Sequence, residues 1–115
     1  MSLSILQQQF TQMIGQFIIW VYQQPGYTLT FGEAFRTTEQ AKLNAQKGIG
    51  IVNSLHCERL AVDLNLFING EFKTEVSDYL PLGVYWESLG GSWGGRFSKP
   101  DADHFSLSPD GGKTR

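Results

Sequence analysis

The chain has 115 residues, 41% hydrophobic and 13% aromatic, which gives one domain with a core of its own and excludes disorder over most of its length. Nine Lys and Arg against eleven Asp and Glu give a formal charge of −2, which excludes the basic footprint of sequence-independent nucleic-acid binding. The single cysteine, Cys57, excludes an internal disulfide and a four-cysteine zinc site.

No charged side chain precedes Glu33. Leu3, Leu6, Phe10, Met13, Ile14, Phe17, Ile18 and Val21 recur at intervals of three and four, which predicts one face of a long helix. Pro25-Gly26 stops it. Glutamines interrupt the apolar residues, and no positive charge precedes them, so the segment reads neither as a secretory signal nor as a membrane span. Synthesis in the cytoplasm without an export signal is the expectation. A membrane-surface helix would carry Lys and Arg on its polar face, and this one has none, so the stripe is read as core.

Tyr27 to Phe35 reads as a strand. Thr37 and Gln40 form a capping box for a helix to about Gln46, closed at Gly48. Ala61 to Ile68 alternates, with Val62, Leu64 and Leu66 on one face and Ala61, Asp63, Asn65 and Phe67 on the other. Asn69-Gly70 predicts a hairpin that pairs Glu71 to Thr74 back on it. Pro81 opens a short helix, Leu82 to Leu89, which contains Tyr85 and Trp86 as core residues. Ser92 to Ala102 reads as a loop and His104 to Leu107 as a last strand. This order predicts an α+β fold, a mainly antiparallel sheet with flanking helices, in a single domain over residues 1–115 with a loosely held tail from residue 108.

Both histidines of the chain lie in acidic neighbourhoods: Ser54-Leu55-His56 with Asp63 following, and Asp101-Ala102-Asp103-His104-Phe105. A carboxylate on a strand such as that of Asp63 must be solvated, paired or bound to metal. His56 and His104 could fold beside it, and two imidazoles with one carboxylate suit zinc while leaving a fourth position for water. The same residues also admit a structural histidine–aspartate hydrogen bond. Asp101, three residues before His104, is the candidate proton acceptor for that water. Asp103 points to the opposite face if the stretch is extended.

Ser54-Leu55-His56 with Ala61-Val62-Asp63-Leu64 resembles the Ser-x-His…Ala-x-Asp-Leu motif of the D-alanyl-D-alanine metallopeptidases, which include vancomycin-resistance D,D-peptidases and phage L-alanyl-D-glutamate endolysins. Phe35-Arg36-Thr37-Thr38-Glu39-Gln40 resembles the family's upstream arginine segment, and Trp93-Gly94-Gly95-Arg96-Phe97 through His104-Phe105 resembles the ending of its phage branch.

The resemblance implies the small α+β fold shared with the hedgehog signalling domain. It implies zinc held by His56, Asp63 and His104, with Asp101 as catalytic base and Arg36 binding substrate or stabilising charge at the scissile carbonyl. Ser54 is read as a turn brace or a substrate contact, and Trp93 as a core residue or a wall of the substrate cleft, the two glycines after it favouring the wall. The implied substrates are peptidoglycan stem peptides, cut at L-Ala–D-Glu by a phage-type endolysin that reaches the cell wall after release. The rivals are a D-Ala–D-Ala carboxypeptidase or dipeptidase and a non-catalytic wall-binding relative. A monomer without stable membrane association is expected. Arg59 stands where the family has Gly, so the turn before the Asp63 strand is expected to be built differently. Cys57 is expected to point away from the ligands.

Overall fold

The computed structural model describes residues 2–37, 39–40, 42–43 and 55–108. Helix α1 spans Leu3–Gln23, and the Ser2 hydroxyl caps it by accepting from the Ile5 amide at 3.2 Å. Phe10, Met13, Phe17 and Val21 are buried, and Leu6, Ile14 and Ile18 pack against them in part, as the stripe predicts. Leu3, at the free start of the helix, is exposed instead. Phe17 anchors α1 to the rest of the core through Trp86 and Phe105, at ring centroid distances of 5.4 and 4.7 Å. Among the described residues no helix is long and apolar enough to cross a membrane.

The sheet is antiparallel throughout. Its strands are β1 (Tyr27–Phe31), β2 (Ala61–Ile68), β3 (Glu71–Phe72), β4 (Ser92–Trp93) and β5 (His104–Ser106). They lie in the order β1-β2-β5-β4, and β3 pairs with β2. Strand β2 matches its predicted bounds, and its Leu64 and Leu66 are buried while Asp63 and Asn65 on the other face are only half-buried. The Asn69-Gly70 turn takes the positive φ values, 53° and 80°, that such a hairpin requires.

Three elements differ from expectation. Strand β1 stops at Phe31 rather than Phe35, because Gly32 and Glu33 both bond to Asp63: the Gly32 amide donates to the Asp63 carbonyl at 2.7 Å and the Asp63 amide to the Glu33 carbonyl at 2.8 Å, a bulge that ends the regular ladder. Helix α2 spans Val76–Ser88, so Pro81 lies inside it rather than at its start. Tyr79 holds the early turn in place: its hydroxyl accepts from the Leu66 amide at 2.9 Å and donates to the Lys73 carbonyl at 3.1 Å. That packing outweighs the local cost of a proline within a helix. The expected loop of Ser92 to Ala102 contains β4 and a 3-10 turn, Gly94–Arg96, because the buried Trp86 indole donates to both the Ser92 and Ser106 carbonyls and draws the segment to the sheet. The Gln40 amide donates to the Thr37 hydroxyl at 3.0 Å, one of the two bonds of the predicted capping box. Most of the predicted helix beyond it, its Gly48 stop and the tail after Ser108 lie outside the described residues.

Candidate active site

The β2–β5 register sets Asp63 opposite His104. A 3-10 turn, Leu55–Glu58, delivers His56 to the same place just before β2 begins. His56 Nε2 lies 3.3 Å and His104 Nδ1 3.6 Å from a single oxygen, Asp63 Oδ1. The two imidazoles are 4% and 2% exposed. Asp63 Oδ1 is buried and has no well-formed hydrogen bond, although two ring nitrogens face it. A buried acceptor in that condition calls for an explanation, and a bound cation is one. The three donor atoms lie within 4.8 Å of one another, and two imidazole nitrogens with a carboxylate oxygen could hold a divalent cation with a coordination position open. Burial pushes the Asp63 carboxyl up, but the facing His104 and His56 outweigh it and hold the group at about 2, so the carboxylate is ionised at neutral pH.

Asp101 borders this group, and so does Asp103. Oxygens of Asp63, Asp101 and Asp103 fall within 4.8 Å of one another, so Asp103 does not point to the opposite face. The reason is local: the stretch turns rather than extends, with the His104 amide donating to the Asp101 carbonyl at 3.2 Å. Burial, the hydrogen bond with Asp101 and the charges of Asp63 and Asp101 push the Asp103 carboxyl up to about 7. Gly94 holds this turn at close range. A Cβ there would sit 2.2 Å from the Asp101 carbonyl oxygen and 2.7 Å from the His104 Cβ.

Trp93 is not a cleft wall. It is 1% exposed, its ring lies against Gly83 and Gly95, and its indole donates to the Ala102 carbonyl at 2.7 Å. The two glycines after it serve packing, and the tryptophan braces the acidic turn from beneath.

On the β1 side, Arg36 pairs with Glu33, and Glu33 Oε1 lies 3.7 Å from His56 Nδ1. The Glu33 carbonyl also accepts from the Asp63 amide at 2.8 Å, and the Arg36 amide donates to the His56 carbonyl at 3.2 Å. Glu33 therefore joins Arg36, His56 and Asp63, and the motif reading missed it. Its signal in the sequence was a lone acid three residues before Arg36, the first charge of the chain. Arg36 Nε is buried without a hydrogen-bond partner, which leaves one donor for a ligand. Ser54 lies outside the described residues. Cys57 turns to the Thr37 carbonyl, 3.9 Å away, and is absent from the donor group.

Arg59 overturns one expectation. It takes φ 57°, the left-handed conformation a glycine would take, so the turn before β2 keeps that form. Its guanidinium lies over the Phe35 ring, 4.1 Å from the centroid, a cation–π contact that offsets part of the strain.

A profile of the D-alanyl-D-alanine carboxypeptidase family matches residues 47–107, more than half of the chain. The chain belongs to this family. His56, Asp63, Asp101 and His104 all fall inside the matched segment, whereas Glu33 and Arg36 precede it. The fold is also that of the Serratia marcescens L-Ala D-Glu endopeptidase ChiX, whose crystal structure superimposes with a TM-score of 0.71 at 20% identity over 86% of this chain and 77% of that one. No curated protein matches the chain.

Proposed function

We propose that this member of the D-alanyl-D-alanine carboxypeptidase family is a zinc-dependent peptidase of peptidoglycan stem peptides, with His56, Asp63 and His104 as the metal ligands. The observation that carries the proposal is the approach of two buried imidazole nitrogens to one unsatisfied carboxylate oxygen, at 3.3 and 3.6 Å. Zinc, when bound there, supplies Lewis acidity and makes a water available as nucleophile near neutral pH.

The chain's own groups do the rest. Asp101 accepts the proton of the attacking water and returns it to the leaving amine. Asp103 lies against Asp101 and sets the charge around it. Arg36, oriented by Glu33, turns its buried Nε–H toward the negative charge that develops on the scissile carbonyl. Glu33 faces the Nδ1 edge of His56 and so leaves Nε2 for the metal.

The phage-type ending from Trp93 to Phe105 and the fold of an L-Ala D-Glu endopeptidase favour an endolysin that cuts L-Ala–D-Glu as a monomer, at the cell wall after release. The family description favours a second reading, removal of a terminal D-Ala. A digest of purified muropeptides by the zinc-loaded protein, read by mass spectrometry, tests both. New L-Ala termini support the first reading and loss of D-Ala the second. No cleavage by protein of confirmed zinc content overturns the proposal.

A further inference from the structure

A cleft of about 240 Å³ opens beside Asp101, large enough for one amino-acid residue. Asp101 and Asp103 line it together with Asn65, Phe72, Lys73 and Thr74. Asn65 is two residues from Asp63 on the same face of β2, and oxygens of Asp101 and Asp103 lie within 4.8 Å of an Asp63 oxygen, so the cleft adjoins the candidate metal group.

We infer that this cleft receives the residue that bears the leaving amine, and that Lys73 recognises a carboxylate on that residue's α-carbon. The inference rests on the proposed role of Asp101. The group that returns the proton to the leaving amine must stand beside the residue carrying it, and the cleft begins at Asp101.

Lys73 is the cation of the cleft lining. Its backbone is fixed at both ends: its amide donates to the Leu66 carbonyl at 2.9 Å, and its carbonyl accepts from the Tyr79 hydroxyl. Its side chain is 23% exposed, and its ammonium lies 3.4 Å from Glu71 Oε1. Glu71 is 75% exposed, so that ion pair is weak and readily exchanged for an anion in the cleft. Asn65 and Thr74 add neutral polar groups beside it. Both stem-peptide bonds under consideration meet the requirement. In D-Ala–D-Ala the leaving alanine has a carboxylate on the carbon that bears the amine. In L-Ala–D-Glu the glutamate is joined onward through its side chain, so its α-carboxylate is free at the same place.

The test uses two synthetic stem peptides that differ only at the D-Glu α-position, free acid or carboxamide. The zinc-loaded wild type should cleave the acid with a kcat/KM higher by about tenfold or more, mostly through KM, as a charge-assisted contact made on binding predicts. Lys73→Gln should lose that preference, its kcat/KM for the acid falling to about its own value for the amide, and Lys73→Arg should keep it. Cleavage by the wild type without an acid preference, or a preference that survives in Lys73→Gln, overturns the role of Lys73 and leaves the peptidase reading intact. A wild type that cleaves neither these peptides nor D-Ala–D-Ala overturns both.

Discussion

Asp63 and His104 are direct cross-strand neighbours in the β2–β5 pair, and their side chains meet at 3.6 Å on the open face of the sheet. Side chains on a strand alternate, so a slip of one residue in this register would send one of the two to the other face. The donor group is thus set by sheet pairing, with His56 added from the turn before β2. Removing any one of the three donors should therefore lower bound zinc from about one per chain to a small fraction of that. Metal analysis of purified His56→Ala, Asp63→Asn and His104→Ala checks this. Full zinc content in any of them would remove that residue from the ligand set.

Asp101→Asn keeps the size of the side chain but cannot carry the proton. It should bind zinc normally and turn over peptidoglycan at least about a hundredfold more slowly, the usual effect of losing a general base. Turnover within a fewfold of the parent at matched zinc content would shift the base elsewhere, with Asp103 the first alternative.

The two shifted carboxyls give the metal-free protein opposite pH dependences. Folding raises Asp103 from 3.8 to about 7, so the stability this group contributes is present below about pH 4 and is lost as pH rises toward and through 7. Folding lowers Asp63 to about 2, so its contribution is present above about pH 4 and is lost as pH falls toward 2. The Tm of metal-free protein should fall from pH 5 to pH 8, and Asp103→Asn should flatten that decline. An identical slope in the variant would contradict the burial of Asp103 among acids.

Glu33→Gln removes the charge that faces His56 Nδ1 and clamps Arg36. Zinc affinity should drop about 10–100-fold, as for other losses of a partner behind a ligating histidine. Competition with a chromophoric chelator measures it. Wild-type affinity with impaired turnover would confine Glu33 to the orientation of Arg36.

Gly94→Ala places a methyl group against the Asp101 carbonyl and the His104 Cβ. The backbone there must move, at a cost of about 1–3 kcal/mol. The displaced groups are the proposed base and a proposed ligand, so zinc affinity and turnover should fall together. A variant with parental Tm and turnover would refute the tight contact.

Much of this arrangement was legible in the sequence because it is local. The bounds of β2 follow from its alternation, the hairpin from Asn69-Gly70, and the stop of α1 from Pro25-Gly26. The candidate ligands were legible as the chain's two histidines, each near an acid. What was not legible depends on contacts between distant segments. Pro81 pointed to a helix start, but Tyr79 reaches back to Leu66 and Lys73 and begins the helix earlier. Trp93 followed by two glycines looked like an exposed wall, but Gly83 of α2 makes room for its ring in the core. Asp103 was assigned by strand alternation to a stretch that turns. Glu33 has no motif of its own and gains its place only when β1 is laid beside β2.

The order of the strands along the chain also bears on when the protein can act. Asp101 lies just before β5 and His104 on it, and β5 is the last of the described strands along the chain. A nascent chain that has emerged only as far as Pro100 contains His56 and Asp63 but neither the proposed third ligand, His104, nor the proposed base, Asp101. Synthesis runs from the N-terminus, and earlier segments can begin to fold before later ones exist. On the proposed roles of Asp101 and His104, hydrolytic competence would arrive in one step, when β5 inserts between β2 and β4.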